Sequence, residues 1–373
     1  MKKFLGIALS LILCMALLLA FAGCSNSNSG SSSDAEVGVI YSVKEDDDGN
    51  EYAVVDKYAL SEDDAKKVSN NNYADIMVDL TINEYTDEDG KTYPVKEISA
   101  SAFANQLTIK SITFGANVET FGSACLAGCA NLESLTVPFV GNKADAVNDG
   151  KLLGYLFGTA SSDGSSYVTM NYNATGSKSY YIPNALKTVT VTGDKLSDYA
   201  FYGLGIKTVN LTGNVEAIGD YAFYGMNKLT AYTIPASVKT IGKYAFAECS
   251  NLASVDFSAA TGLTAIGEHA FDCCDLLGYA KDYTLSFPTS LTTVGAKAFY
   301  KCGELKAVDF STSSVTSLDE YTFYSCTKLA SVKLKANTNL ALGVFASCKA
   351  LEKANVVNLG TANGADQAFD VEA

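Results

Sequence analysis

Past residue 97, hydrophobic and polar positions recur along the chain in a fixed order. The consensus copy begins with Ile-Gly, continues with Ala-Phe and, three places after the Phe, a Cys, and closes with the spaced pattern L-x-x-V-x-I. The Phe recurs at positions 103, 201, 223, 246, 271, 299, 323 and 345, and Leu126 takes its place once. Neighbouring copies are 22 to 28 residues apart, except for one gap of 75 residues.

The last two apolar residues of L-x-x-V-x-I lie two apart, so they share one face of a β-strand. A single unit cannot cover that face, and neighbouring units are therefore expected to stack and share a core. The pattern predicts strands that end at Phe114, Val137, Val191, Leu211, Ile234, Phe257, Phe287, Phe310, Leu334 and Val356, and an eleventh that ends at Ile82. Parallel stacking at the usual strand spacing predicts a curved solenoid about 50 Å long.

The full pattern I-G-x-x-A-F-x-x-C-x-x-L-x-x-V-x-I-P resembles the BspA-like leucine-rich repeats of bacterial surface proteins. The resemblance implies an α/β-type leucine-rich repeat solenoid, mostly parallel β with irregular or short helical turns, and an N-terminal capping unit. Leu204 and Met226 replace the Cys, and Cys125-Leu126 replaces Ala-Phe. Members of the family are implicated in adhesion and in binding host proteins, and the resemblance implies such a role here.

The first 23 residues have the organisation of a secretory signal, with Lys2 and Lys3 before an apolar run and small residues at its end. The segment Leu19 to Cys24 resembles the lipobox of bacterial lipoproteins, which implies cleavage before Cys24 and lipidation of its thiol. A retained membrane span and plain secretion are the alternatives. Residues 24–36 are rich in Ser and Asn and are expected to form a flexible tether.

Residues 37–97 are predicted to form an acidic N-terminal capping unit, because residues 34 to 97 contain 18 acids and 6 Lys. Asp48-Gly49 and Asp89-Gly90 predict hairpin turns. Residues 61–68 predict a short helix that Ser61 caps. A polar terminal unit protects the first open strand edge of a solenoid from pairing with other chains.

The repeats are assigned to residues 98–358, with an insertion at 139–185, and residues 359–373 form a partial repeat and tail. Insertions in repeat proteins map to loops, often on a binding face. This insertion is therefore either part of a binding face or a padded surface loop without a partner.

Composition narrows the function. The chain has 373 residues and a formal charge of −14, and its 27 basic residues are all Lys. Few cations and no guanidinium groups make it a poor candidate for binding nucleic acid. The single His269 removes most His-based catalysis, and it occupies a turn position that is Tyr in other copies.

Six cysteines share one repeat position and are expected to form a buried column of free thiols, with disulfides as the alternative for an exported protein: Cys129, Cys249, Cys274, Cys302, Cys326 and Cys348. A zinc site that uses His269 with Cys273 or Cys274 is disfavoured. Asp46-x-Asp48-x-Asn50 is similar to a calcium loop, but Glu51 stands where that loop needs Gly. We expect no metal site and no cofactor.

The outward strand positions form the candidate binding surface, because extended strand faces are what solenoids use to bind. We define them as the polar row: Thr113, Thr136, Thr190, Asn210, Thr233, Asp256, Ser286, Asp309, Lys333 and Asn355. Two Tyr columns flank the buried Phe and either contribute to binding or only cover the turns: Tyr199, Tyr221, Tyr244 and Tyr321 before it, and Tyr202, Tyr224, Tyr300 and Tyr324 after it. Within the row, Asp256 and Asp309 could in principle form a glycosidase pair, but solvated carboxylates are the favoured interpretation.

The sequence therefore predicts a non-enzymatic, adhesin-like module on the bacterial cell surface, held to the outer face of the membrane by a lipid on Cys24. Its partner is expected to be an extracellular protein or glycan. The alternative is an envelope structural or scaffolding lipoprotein that binds the producer's own wall or surface proteins.

Overall fold

The structure is a computed structural model that describes residues 37–370. The predictions for the signal segment 1–23, for Cys24 and for the tether fall outside the described residues. In residues 37–370, no helix is long and apolar enough to cross a membrane.

The N-terminal unit contains β1 (Gly38–Glu45), β2 (Glu51–Ala59), α1 (Glu62–Ser69), β3 (Val78–Ile82), β4 (Glu84–Thr86) and β5 (Thr92–Ile98). β1 pairs with β2, and β4 with β5, as antiparallel hairpins. The predicted helix is confirmed, and the Ser61 hydroxyl accepts a hydrogen bond from the Asp64 N–H at 3.1 Å. Gly49 and Gly90 adopt the positive φ that the two predicted hairpin turns require.

The repeats supply the remaining strands, which are β6 (Ile109–Phe114), β7 (Thr120–Phe121), β8 (Ser134–Val137), β9 (Ser165–Asn171), β10 (Ser177–Pro183), β11 (Thr188–Val191), β12 (Thr208–Leu211), β13 (Ala217–Ile218), β14 (Ala231–Thr233), β15 (Thr240–Ile241), β16 (Ser254–Asp256), β17 (Ala265–Ile266), β18 (Leu285–Ser286), β19 (Thr293–Val294), β20 (Ala307–Asp309), β21 (Ser317–Leu318), β22 (Ser331–Lys333), β23 (Asn339–Leu340) and β24 (Val356–Val357). Short 3₁₀ turns occupy Ala74–Ile76, Asn148–Lys151, Leu153–Leu156, Lys353–Asn355, Leu359–Thr361 and Gln367–Phe369.

The predicted strands form a first stack of parallel strands. β3, β6, β8, β11 and β12 make one sheet, β14 pairs with β16, and β18, β20, β22 and β24 make another. The stack is therefore interrupted twice, between β12 and β14 and between β16 and β18. Because β3 already belongs to this stack, the N-terminal unit and the repeats share one continuous sheet. The leucine-rich repeat architecture predicted from the sequence is confirmed.

A second stack of two-residue strands was not predicted. It contains β13, β15, β17 and β19 in one parallel sheet and β21 with β23 in another, and β7 joins the N-terminal sheet through β5. The four strands β13, β15, β17 and β19 each end in the apolar residue that precedes the repeat Gly, and that residue is buried. Each regular coil thus has two short strands, with the Ala-Phe turn between them.

The turns are held together by stacked rings and by backbone hydrogen bonds. Phe246 lies 5.1 Å from Phe271 between ring centroids, and Phe271 lies 5.2 Å from Phe299, with nearly parallel planes. The residues two places before and after each Phe have positive φ, including Tyr221 and Glu248. This geometry directs the N–H of Phe246 to the carbonyl of Ala270 in the next turn, at 2.7 Å. Bonds of this kind recur along the solenoid and offset the cost of the left-handed backbone.

The predicted insertion at 139–185 contains a turn of the solenoid. Phe157 is 1% exposed, and the Leu126 N–H donates to the Leu156 carbonyl at 2.8 Å, which is the bond that repeat turns make. Phe157 therefore occupies the Phe position and divides the 75-residue gap into 31 and 44 residues. The added structure is chiefly the β9–β10 hairpin, whose Tyr180 ring packs on Gly154 where a Cβ would lie only 2.3 Å from it.

Candidate binding surface

The polar row lies along the outward positions of the first strand stack. In the sheet register, Thr113 is paired with Thr136, Thr136 with Thr190, and Thr190 with Asn210. Thr233 is paired with Asp256, Ser286 with Asp309, and Asp309 with Lys333. These nine side chains are half-buried or exposed, and each strand alternates them with buried apolar residues. Thr81 of β3, which pairs with Thr113, extends the row by one strand.

The prediction for Asn355 is wrong in register. Lys333 is paired with Val357, and Asn355 lies in the 3₁₀ turn that precedes β24. In the regular copies a Val follows the conserved Leu by three residues, but Val356 follows Leu351 by five. The extra residues form the turn, and Val357, which is 51% exposed, ends the row with an apolar side chain.

The two carboxylates of the row have different surroundings. Asp309 accepts hydrogen bonds from the Ser311 N–H and hydroxyl, and its other oxygen lies 3.0 Å from the Lys333 ammonium. Partial burial raises the pKa of Asp309, but the bonds from Ser311 and the charge of Lys333 outweigh it, so the net pKa is lowered. Asp256 accepts one hydrogen bond, from the Ser258 N–H at 2.8 Å. A carboxylate that stays ionised is a poor general acid, which argues against the glycosidase pair.

A groove of about 570 Å³ opens where the first stack is interrupted between β16 and β18, and we call it the β16–β18 groove. Its lining includes Asp256 and Ser286 of the polar row, together with Tyr283. Tyr283 belongs to a second, smaller insertion at residues 276–284, which lengthens the spacing between Phe271 and Phe299 to 28 residues. The Tyr283 hydroxyl donates to the Val255 carbonyl at 2.8 Å and accepts from the Val255 N–H at 3.2 Å. One side chain thus satisfies backbone groups that a neighbouring strand would otherwise pair.

A second, smaller groove of about 330 Å³ lies at the other interruption, between β12 and β14. Asn210 and Thr233 of the polar row line it, together with Lys207 and Tyr232. The Tyr232 ring packs in the core at 5.2 Å from both Phe223 and Phe246, and its buried hydroxyl has no hydrogen-bond partner among the described residues. The two grooves divide the polar row into three sections.

The Tyr columns lie on the turns and form stacked ladders. Tyr199 and Tyr221 are 4.7 Å apart between ring centroids, and Tyr221 and Tyr244 are 4.9 Å apart. His269 continues this ladder at 4.4 Å from Tyr244, which confirms that it substitutes for the aromatic residue. Its Nδ1 lies 2.6 Å from an Asp272 carboxylate oxygen. Stacking between neighbouring turns is enough to explain why aromatic residues occupy these positions, so the columns do not require a binding partner.

The six aligned thiols form a column in the core. Each Sγ donates to the carbonyl of the Phe one turn earlier, at 3.0–3.2 Å, in the pairs Cys129–Phe103, Cys249–Phe223, Cys274–Phe246, Cys302–Phe271, Cys326–Phe299 and Cys348–Phe323. Burial raises the pKa of Cys129 and of Cys249 to about 12. Leu204 and Met226 fill the same position without a donor, so the position requires apolar volume and the thiols add a weak hydrogen bond. All eight described cysteines are free thiols.

The described residues contain no group of three or more His, Cys, Asp or Glu side chains that could hold a metal ion. Cys274, one of the cysteines considered as a zinc ligand together with His269, is buried in the core, where its Sγ donates to the Phe246 carbonyl. Asp46, the first residue of the calcium-like segment, accepts hydrogen bonds from the Asp48 and Asn50 N–H groups and stabilises the β1–β2 turn. Hydrogen bonds, that from the Asn50 backbone foremost, lower the pKa of this carboxyl.

Comparisons with known proteins agree with the repeat geometry. A family model described as a BspA type leucine rich repeat region matches six copies, over residues 91–144, 173–281 and 279–370. Among curated proteins, no match to the chain was found.

The solved structures to which the chain is similar include two bacterial leucine-rich repeat proteins. A leucine-rich repeat protein from Bacteroides ovatus is 19% identical, covers 86% of this chain and 81% of its own, and has a TM-score of 0.40. A leucine rich cell surface protein from Faecalibacterium prausnitzii is 21% identical, covers 94% of this chain and 100% of its own, and has a TM-score of 0.32.

Proposed function

The chain belongs to the BspA-type leucine-rich repeat family, and from this we propose that it is a lipid-anchored, non-catalytic cell-surface protein that binds an extracellular protein or glycan through its first strand stack. The family itself implies a binding module. The observation that carries the proposal is the polar row, which places small polar and charged side chains in register over a solvent-facing sheet.

The electrostatics of the row favour binding over catalysis. Asp309 is held ionised by Ser311 and Lys333, and the described residues offer no cluster that could hold a metal. Solenoids bind through such extended faces, which offer many weak contacts to one large partner. The negative formal charge of −14 favours a neutral or basic partner over an anionic polymer.

Binding is tested with purified residues 37–373 on a panel of extracellular-matrix proteins, mucins, glycans and cell wall from the producing organism. We expect saturable binding to a host molecule, weakened at least tenfold when Asn210 and Lys333 are both changed to Ala. The matched control changes Lys178 and Lys281, which lie outside the row, to Ala. Binding to the producer's wall alone would instead support the envelope-scaffolding alternative, and no binding to any partner would contradict the proposal.

Anchoring is tested separately in the producing cell. The full chain should incorporate a radiolabelled fatty acid and fractionate with the membrane. Cys24→Ala should abolish the label and release the protein or leave its signal uncleaved, whereas Ser25→Ala should change neither result. Label that persists in Cys24→Ala would overturn the assignment of Cys24.

A further inference from the structure

The β16–β18 groove combines features that the rest of the strand face lacks. It lies where the first stack is interrupted, and the insertion at 276–284 forms one of its walls. Its volume of about 570 Å³ falls in the range of small-molecule sites, about 300–1,000 Å³. Its wall is also fixed, because the Lys306 ammonium donates to the carbonyls of Gly278, Tyr279 and Ala280 at 2.8–3.2 Å.

The groove does not offer a free strand edge on its β16 side. The N–H and the carbonyl of Val255 are both taken by the Tyr283 hydroxyl. An extended peptide that joins a sheet gains its affinity from main-chain hydrogen bonds at such an edge. Since Tyr283 occupies these groups, an occupant cannot pair with Val255, and side chains are left to hold it on this side of the groove.

The side chains that line the groove are rich in hydroxyl groups and contain one charge. Ser254, Ser258, Thr284, Ser286 and Thr289 contribute hydroxyls, and Asp256 contributes the carboxylate. No Lys, Arg or His is among the lining residues. One oxygen of Asp256 accepts from Ser258, and the other has no partner among the described residues, so it can accept a hydrogen bond from a ligand.

The groove also has apolar surface beneath these groups. Phe257 and Phe287 form its floor and are 2% and 4% exposed, and Pro288 and the Tyr283 ring complete the wall. A ligand that fits must therefore present several hydroxyl donors, an apolar face and no negative charge. Among extracellular molecules, neutral sugars have this combination of groups.

We propose that the β16–β18 groove is a subsite for a neutral glycan, with Asp256 accepting hydrogen bonds from sugar hydroxyls. This assignment rests on the proposed binding function and names the ligand class for one section of the strand face. A hydrogen bond to a charged group is stronger than one between neutral groups. The loss of the Asp256 charge should therefore weaken binding by about tenfold or more.

The probes are neutral oligosaccharides of glucose, galactose, mannose and N-acetylhexosamines, with sialylated and sulfated glycans as the charged comparison. Residues 37–373 are screened on a glycan array, and dissociation constants are then measured by calorimetry or ligand-observed NMR. Asp256→Asn should weaken the best neutral ligand at least tenfold, and Ser286→Tyr, which fills the groove from an exposed position, should abolish binding. Asp47→Asn is the matched control, since it removes one exposed carboxylate from the β1–β2 turn, outside both the polar row and the groove, and it should change binding less than twofold.

Binding of no neutral glycan, a preference for the charged glycans, or equal losses in Asp256→Asn and Asp47→Asn would each overturn the subsite. These outcomes are distinguishable from failure of the proposed function. Saturable binding of a protein or of cell wall that depends on Asn210 and Lys333, without neutral-glycan binding, removes only the subsite.

Discussion

Replacing Tyr283 by Phe tests whether one hydroxyl substitutes for a missing strand neighbour. The change leaves the ring in place and removes the bonds to the Val255 carbonyl, at 2.8 Å, and from the Val255 N–H, at 3.2 Å. A neutral hydrogen bond contributes about 0.5–1.5 kcal/mol net, so two bonds correspond to about 1–3 kcal/mol. Because the groove admits water to these backbone groups, we expect the lower half of that range, about 1–2 kcal/mol.

Hydrogen exchange is the appropriate assay, because a repeat protein can open locally and a global unfolding curve would average over its units. An opening free energy lower by about 1–2 kcal/mol should accelerate exchange at the Val255 amide by about 5- to 30-fold. Peptides that cover β20 and β22 should exchange as in the unmodified protein, since their strands keep their neighbours.

Tyr279→Phe is the control, because Tyr279 belongs to the same insertion, is 63% exposed and has no hydrogen bond through its hydroxyl among the described residues. It should leave exchange at Val255 unchanged. Unaltered exchange at Val255 in Tyr283→Phe, or equal acceleration in both variants, would refute the view that Tyr283 stabilises the β16 edge.

Three further predictions follow from the core and the row. Phe157→Ala should lower the free energy of unfolding by about 3–5 kcal/mol, as expected for a buried ring, whereas Tyr167→Ala, at an exposed position of the same insertion, should change it by about 0.5 kcal/mol or less in denaturant titrations. In native residues 37–373, a thiol reagent at pH 8 should label at most Cys273, the one half-exposed cysteine among the eight described, and should label all eight after denaturation; fewer than eight would reveal disulfides. Folding lowers the pKa of Asp309 from its usual value of 3.8, so the ionised carboxylate stabilises the folded protein above the unfolded-state pKa, and this stabilisation is lost as the pH falls through the folded-state pKa. The difference in unfolding free energy between the unmodified protein and Asp309→Asn should therefore shrink below pH 3.8. A difference that stays constant with pH would contradict this reasoning.

The first strand stack and the turn core could be predicted because their sequence signals are repeated. Alternation such as Val332-x-Leu334 fixes which side of a strand is buried, and the Phe and Cys positions recur at a nearly constant spacing. The second stack could not be predicted in the same way. Each of its strands has two residues, such as Thr240-Ile241, and two residues are too few to show the alternation of apolar and polar positions that identifies a strand.

The unpredicted parts of the binding surface depend on contacts between distant segments. Tyr283 precedes β18 in sequence but bonds to Val255, 28 residues earlier, and no local pattern identifies that partner. Phe157 lies in Gly-Tyr-Leu-Phe-Gly, which lacks the Ile-Gly and Ala of the regular copies. Its repeat position becomes evident only from the hydrogen bond between Leu126 and Leu156. The register at Val357 was missed because two additional residues precede its strand.

The two insertions interrupt the same part of the coil, between the Ala-Phe turn and the first-stack strand. In the larger one, the β9–β10 hairpin follows Phe157 and precedes β11, and the smaller one follows Cys274 and precedes β18. The turn stack continues past both, since the Leu153 N–H donates to the Ala200 carbonyl across the larger insertion and the Phe271 N–H donates to the Ala298 carbonyl across the smaller one. Because the turn ladder fixes the position of each coil, the passage into the strand can lengthen without disrupting the core. Variation at this passage alters the strand face and its edges while the core stays constant, which is the arrangement expected of a scaffold that acquires different ligands on one fold.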